Sequence, residues 1–264
     1  MNPEFNDVLF EEKDGVGYIT LNDPAHLNPV TSETTDHLIE CLKICEQRDS
    51  IRCVVLRGAG GNFSAGGNVR AMKERLDKGI NTTKEGIRKG GEHIMRLRTI
   101  SKPTIAWIEG AVAGVGMSMA MACDFSIAAE DAKMVFAFVN IGFVPDGGIT
   151  YMLSRAVGTA KCTELLMGGR RFSGADAAEW GLITKAVPKD QLEEEVQKYI
   201  KKYSNGPSVA YGQIKNLINR TVFTEINACM QNEVEAQYIC SKTEDHYNAV
   251  TAFCEKKKPV FQGK

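Results

Sequence analysis

Apolar positions form short runs in the first two thirds of the chain and follow helical spacing in the last third. Runs that are rich in β-branched residues and end at glycine or polar turns predict buried strands. The predicted strands are Val8–Glu12, Gly17–Leu21, Ile51–Leu56, Thr104–Ile108, Phe125–Ala128 and Met134–Phe136.

Apolar residues spaced three and four positions apart predict helices between and after these strands. The predicted helices are 31–48, 70–98 with a mobile break at 77–83, 115–123, 150–157, 163–167, 173–181, 196–203, 210–220, 227–240 and 245–255. Because strands alternate with helices before a helical C-terminal third, the predicted fold class is α/β.

The stretch 103–124 joins a strand to a helix through a turn that contains Gly110 and Gly114. Residues 115–123 are almost continuously apolar and small, which is typical of a helix buried on all sides. The first N–H groups of such a helix have no partner within it, and with the helix dipole they can bind a negatively charged oxygen. Tight packing of a helix on a sheet is the simpler explanation of these glycines taken alone.

A second junction of the same kind precedes the first along the chain. The apolar strand Cys53–Leu56 leads into NFSAGGN (62–68), and a helix is predicted to start near Asn68. Two backbone N–H groups, one from each junction, are what an oxyanion hole for a thioester or amide carbonyl needs. The pair therefore favours an enzyme that acts on acyl groups.

The motifs FSAGGN, EGAVAGVG and GFVPDGG, in this order and spacing, resemble those of the crotonase (enoyl-CoA hydratase/isomerase) superfamily. FCEKKKPVF resembles the usual C-terminal ending of that family, and the resemblance extends from about Phe5 to Lys264. It implies a spiral of ββα units followed by helices that assemble a homotrimer or a dimer of trimers. It also implies an acyl-CoA thioester substrate, with no cofactor beyond the coenzyme A of that substrate.

The resemblance assigns the oxyanion donors to the backbone N–H groups of Gly67 and Val115. It implies that Ala65, through its carbonyl, and the neighbouring backbone of Gly66 bind the coenzyme A. Asn68 stands where the family usually has an acidic residue. We expect this departure to alter a helix cap rather than the oxyanion hole.

The acid–base residues depart from those of the best-known members. Hydratases of the family use two glutamates, and the resemblance places Ser118 and Phe138 at those positions. Neither side chain can activate water as a carboxylate does. Asp146, in VPDGG, matches the working acid of some enoyl-CoA isomerases, including the ring isomerase of phenylacetate degradation, and the nucleophile of 4-chlorobenzoyl-CoA dehalogenase. The resemblance thus implies that Asp146 shuttles a proton, whereas a cap for the following helix is the simpler alternative.

The C-terminal helices complete the implied assembly. The predicted division is a core with the active site at 1–200 and a helical oligomerisation region at 201–264. By resemblance, Phe253 and Lys256 reach the coenzyme A of a neighbouring subunit. Simple packing for Phe253 and a solvated charge for Lys256 are the alternatives.

Composition excludes several other classes of protein. The 264 residues carry a formal net charge of −1, which gives no basic surface for nucleic acid. No apolar run approaches membrane-spanning length. The eight cysteines and four histidines show no metal-ligand spacing, so we expect no metal. The start lacks an export signal, so we expect a cytoplasmic protein whose thiols are reduced.

Three functions remain open from the sequence. The first is an enoyl-CoA isomerase with Asp146 as the proton shuttle. The second is an enoyl-CoA or dienoyl-CoA hydratase in which Asp146 does the work of two glutamates. The third is an acyl-CoA-binding protein without catalysis, or the RNA-binding side role that the resemblance implies for one branch of the family. The carboxylate at 146 argues against the loss of catalysis, and the near-neutral charge argues against RNA.

Overall fold

The computed structural model describes residues 2–264. Nine strands are found in this range. They are β1 (Val8–Lys13), β2 (Val16–Leu21), β3 (Cys53–Gly58), β4 (Thr104–Ile108), β5 (Ala111–Ala113), β6 (Phe125–Ala129), β7 (Lys133–Val135), β8 (Arg171–Ser173) and β9 (Lys185–Val187).

Ten α-helices lie in the same described range. They are α1 (Ser32–Gln47), α2 (Val69–Asp77), α3 (Lys84–Thr99), α4 (Val115–Ala122), α5 (Ile149–Gly168), α6 (Gly174–Glu179), α7 (Leu192–Ser204), α8 (Ser208–Val222), α9 (Ile226–Cys240) and α10 (Glu244–Cys254). This arrangement confirms the α/β class.

The strands form two sheets. The larger has the order β1-β2-β3-β4-β6-β9, in which only the β1–β2 pair is antiparallel. The smaller has the order β5-β7-β8. Apolar side chains cover both faces of the large sheet, as expected for a mostly parallel sheet. The carboxyl ends of β3 and β4 are neighbours, so the two glycine junctions that follow them start side by side.

Most predicted elements are confirmed within one to four residues at their ends. The strands β5, β8 and β9 were not predicted. Each has three residues, as β7 does, and of these four short strands only β7 was recognised, from the apolar run Met134–Phe136. Helix α5 has two parts that meet at Gly158, whose backbone is not helical (φ 74°, ψ 166°), which agrees with the separate helices predicted at 150–157 and 163–167. The helix predicted at 173–181 begins only at Gly174, because Ser173 pairs with β7 and caps α6.

The C-terminal helices pack on the rest of the chain. Helix α9 lies against α3 and α5, and α10 lies against α2. Helix α8 is attached by Lys215, whose buried Nζ is 2.7 Å from Asp124 Oδ2, while Arg98 binds the other oxygen of that carboxylate at 2.8 Å. The predicted boundary at 200 falls inside α7. None of the helices within residues 2–264 is long and apolar enough to cross a membrane.

Candidate active site

The first glycine junction has a fixed backbone. Gly66 has φ +89°, a conformation that favours glycine, and its carbonyl accepts from Val30 N at 2.8 Å. Its N–H donates to Ser64 Oγ at 3.2 Å, and that hydroxyl donates to Asn28 O at 2.8 Å. The next N–H, that of Gly67, has no hydrogen-bond partner within residues 2–264. It is therefore available to a ligand.

The second junction ends at the first turn of α4. Gly114 is the N-cap residue (φ 50°, ψ −121°), and no side chain caps the helix. Its carbonyl accepts from Met117 N at 2.9 Å and Ser118 N at 3.3 Å. Val115 is the first helical residue, and in the described chain its N–H also has no acceptor. Helix α4 is almost entirely buried, as the sequence predicted.

The two junctions touch each other. Ser64 N donates to Ala111 O at 3.0 Å, and Ala113 N donates to Ser64 O at 2.9 Å. A Cβ at Gly66 would lie 2.6 Å from Ala113 O, and one at Gly116 would lie 2.8 Å from Ser64 O. Only glycine permits this approach, which brings two helix starts and their free donors together.

Asp146 lies in the loop that enters α5, next to α4. The loop carbonyl of Asp146 accepts from Ser118 Oγ at 3.1 Å. Its carboxylate oxygen Oδ2 accepts from Gln237 Nε2 at 3.1 Å, whereas Oδ1 is buried and has no partner in residues 2–264. Buried polar atoms are nearly always paired, so an unpaired carboxylate oxygen beside the junctions marks a functional candidate. Ser118, one turn into α4 from Val115, ties this loop to the second junction.

The surroundings of Asp146 favour its protonated form. Burial raises the pKa of this carboxyl above its usual range, and the hydrogen bond from Gln237 lowers it by a smaller amount. The alternative of a helix cap is not supported, since none of the hydrogen bonds found at the start of α5 goes to the Asp146 side chain. That capping role belongs to another residue.

Glu233 of α9 caps α5 instead. Its carboxylate accepts from Gly148 N at 2.7 Å and Thr150 N at 3.0 Å, and Cys229 Sγ lies 3.6 Å away. Burial raises the pKa of Glu233 to about 6, and the nearby charge of Asp146 adds to this effect. Both oxygens accept hydrogen bonds from the first turn of α5, which ties the Glu233 carboxylate to the start of that helix.

The sequence analysis missed Glu233 and Gln237. Both are buried on α9, four residues apart, on a face that also holds Ile226 and Val234. Two polar side chains within an otherwise apolar helical stripe were a signal in the sequence, because such groups need partners when buried. Their partners lie 85 and 91 positions away, which no local pattern indicates.

The remaining predicted residues lie in three places. Asn68 is the N-cap of α2, and its side chain accepts from Ala71 N at 3.0 Å. The buried ring of Phe138 lies beside Gly114. Ala65 precedes Gly66, and its carbonyl accepts no hydrogen bond within the described residues.

Phe253 and Lys256 are not brought into this cluster. Both are exposed at the end of α10, and no hydrogen bond joins either one to the two junctions in residues 2–264. Their predicted contact with coenzyme A across subunits stays a prediction. Within the same residues, no group of three or more His, Cys, Asp or Glu side chains could hold a metal ion.

Known proteins resemble this chain over nearly its whole length. The family model described as enoyl-CoA hydratase/isomerase matches residues 11–264. The 1,2-epoxyphenylacetyl-CoA isomerase of Escherichia coli is 34% identical, with 97% of this chain and 98% of that protein covered. The short-chain-enoyl-CoA hydratase of Clostridium acetobutylicum is 33% identical, with 97% of each covered.

A solved structure agrees with the sequence comparison. The crystal structure of an enoyl-CoA hydratase from Mycobacterium avium subsp. paratuberculosis has a TM-score of 0.87 and 30% identity, and the match covers 97% of this chain and 98% of that one. The predicted crotonase-like fold is confirmed. The chain belongs to the enoyl-CoA hydratase/isomerase family.

Proposed function

We propose that this enzyme shifts the double bond of an enoyl-CoA thioester from the 3,4 to the 2,3 position, with Asp146 as the proton shuttle. The observation that carries the proposal is the buried, unpartnered Oδ1 of Asp146, in a loop that packs on α4. The N–H groups of Gly67 and Val115 have no acceptor within residues 2–264, and the two junctions that carry them are in contact.

The chemistry follows from these groups. The thioester oxygen accepts from Gly67 N–H and Val115 N–H, which withdraws electrons and makes the α-proton acidic. Asp146 Oδ1 takes that proton, and the two donors stabilise the enolate that forms. The carboxyl group then returns the proton two carbons away. The reaction only moves a proton within the substrate and adds no water. One carboxylate is therefore sufficient.

A hydratase is the second candidate, because relatives of this chain are named as hydratases as well as isomerases. Hydration needs a positioned water as well as a proton donor. Ser118 and Phe138, at the positions matched to hydratase glutamates, carry no carboxylate. Glu233 has both oxygens bound to backbone N–H groups. These observations favour isomerisation.

The coenzyme A is proposed to lie against Ala65 and Gly66, with Phe253 and Lys256 of a neighbouring subunit in contact with it. Exposed apolar side chains support an assembly of several chains. On α8 they are Val209, Ile214, Leu217, Ile218 and Val222, and beyond α10 they are Val260 and Phe261. A homotrimer or a dimer of trimers is the state that the family resemblance implies, and a cytoplasmic location is part of the proposal.

The product identifies the reaction. We expect a 3-enoyl-CoA thioester to be converted to the 2-enoyl isomer with unchanged mass, and a 2-enoyl-CoA thioester to gain no water. Cyclic dienoyl-CoA thioesters tested in parallel show whether the acyl pocket accepts a ring. A product of 2-enoyl-CoA heavier by one water, with no double-bond migration in 3-enoyl-CoA, would establish the hydratase instead.

A further inference from the structure

Helix α9 contributes two buried polar side chains to the loop that carries Asp146. Glu233 and Gln237 are 6% and 4% exposed and lie on one face, since residues four apart are neighbours on a helix. Glu233 binds the end of the loop at Gly148 N, and Gln237 binds its middle. The loop is therefore held by a helix from the last third of the chain.

The amide of Gln237 has a defined orientation. Its Nε2 donates to Val144 O at 3.1 Å and to Asp146 Oδ2 at 3.1 Å. Both partners are acceptors, so the amide nitrogen must face them and both of its N–H bonds are used. The Val144 contact anchors the amide to the backbone, and the Asp146 contact then fixes the carboxylate relative to that anchor.

We infer that Gln237 is a positioning residue for Asp146, whose amide occupies Oδ2 and so leaves Oδ1 as the oxygen that exchanges the proton with substrate. The inference rests on the proposed function of Asp146. It adds a group from the region that the sequence assigned to subunit assembly. An amide suits this role because it donates to the carboxylate without competing for the proton.

Other charged groups near Asp146 do not bind its carboxylate. From α9, Glu233 faces the loop, and from α3, Arg88, Glu92 and Arg96 line a cleft that also reaches Asp146 and Gly147. Helix α4 (VGMSMAMA) has no ionisable side chain. On the far side of the loop, His246 Nδ1 is 2.7 Å from Ile141 O. Gln237 alone makes a hydrogen bond to the Asp146 carboxylate within the described residues.

The test replaces Gln237 by methionine, which keeps an unbranched chain of similar length but has no N–H donor. We expect kcat to fall by about 10- to 100-fold with little change in KM, because the base is misplaced while the substrate still binds. We also expect the acidic limb of the kcat/KM–pH profile to move to higher pH, because a hydrogen bond to the charged form of Asp146 is lost.

Matched variants separate this role from others. Asn232→Met removes an amide from an exposed position of the same helix and should leave the profile unchanged. Gln237→Glu keeps the shape of the side chain and places a second negative charge beside Asp146. The acidic limb of the kcat/KM–pH profile should therefore also move to higher pH. If a Gln237 variant folds and the acidic limb of its kcat/KM–pH profile lies at the same pH as in wild type, the inference is wrong.

The failure of the proposed function gives a different pattern. If Asp146→Asn is as active as wild type, then Asp146 is not the base. The proposed function is then overturned, and the positioning role of Gln237 with it. If Asp146→Asn is inactive and the Gln237 variants behave as wild type in rate and profile, only the positioning role is overturned.

Discussion

At the scale of single residues, the backbone N–H of Val115 is free because of where the residue lies in α4. It is the first helical residue, and the first N–H groups of a helix have no partner within it. The N–H of Gly67 is free for a different reason, because the neighbouring Gly66 makes the hydrogen bonds of this junction to Val30 and Ser64. Two unrelated local arrangements thus supply one pair of donors.

Val115→Pro removes one donor without removing the helix, because proline is well tolerated at the first helical position. We expect kcat to fall by about 10²- to 10³-fold, the usual loss for one oxyanion donor. Val115→Ala keeps the N–H and should stay within a few fold of wild type. Thermal unfolding of both variants checks that they are folded.

Gly67→Pro removes the other donor and should cause a loss of the same size. Gly67→Ala is the matched control, because its Cβ would meet only Met72 Cε, 2.8 Å away at the end of a flexible side chain. A folded proline variant with near-wild-type turnover at either position contradicts the oxyanion assignment.

The sequence predicted these residues because each lies in a contiguous motif. Gly67, Val115 and Asp146 are recognisable from a few neighbouring letters, and the structure brings their segments together. Gln237 and Glu233 were beyond reach, because their role depends on a helix packing against a loop far away in sequence. A local motif indicates the proposed reacting groups but not the groups that hold them.

At the scale of elements, the start of α5 depends on α9. Its N-cap is Gly148, which has no side chain, and the carboxylate of Glu233 accepts the N–H groups in its place. Burial raises the pKa of Glu233 from 4.5 to about 6. The folded chain therefore holds a proton that the unfolded chain releases between these two pH values.

This shift predicts a pH dependence of stability. The raised pKa stabilises the fold fully below about pH 4.5, and that contribution, about 2 kcal/mol, is lost as pH rises through 6. Glu233→Gln replaces the ionisable carboxyl group by an amide, which does not titrate. We expect the free energy of unfolding of the variant, measured by urea denaturation at fixed protein concentration, to depend less on pH across this window than that of wild type. Glu235→Gln, at an exposed position of α9, serves as the control, and parallel curves for Glu233→Gln and wild type would refute the account.

The elements themselves were predicted where they are long. Strand β4 and helices α1 and α9 have enough residues for a period to show. The short strands β5, β8 and β9 exist because β6 and β7 offer hydrogen-bonding edges, which is a tertiary effect. The non-helical backbone of Gly158 divides α5 into two parts, and the second part buries Cys162 and Leu165.

At the scale of the whole molecule, the C-terminal third contributes to the candidate site, and we propose that it also assembles subunits. Helix α9 completes the candidate site of its own chain through Gln237 and Glu233. Helix α8 presents Ile214, Leu217 and Ile218 to solvent, an apolar surface larger than an isolated chain needs. The sequence predicted a role of this region in subunit assembly, which stays a prediction, and did not indicate its contribution to the candidate site.

We expect the chain, of 29.0 kDa, to have three or six times that mass in solution. Size-exclusion chromatography with light scattering measures it directly. The double variant Ile214→Lys/Leu217→Lys places charges on the exposed face of α8 and should lower the mass, whereas Lys201→Ala on α7 should not. An active wild-type monomer would exclude the proposed assembly.

The most direct test of the central claim follows the proton in heavy water. Wild-type enzyme should convert 3-enoyl-CoA to 2-enoyl-CoA and place deuterium at the α or γ carbon of the thioester. Asp146→Asn should fold and bind acyl-CoA yet isomerise about a thousandfold more slowly, while Asp131→Asn at an exposed turn should match wild type. Brisk isomerisation by Asp146→Asn, or wild-type enzyme that only adds water to 2-enoyl-CoA, would contradict the account.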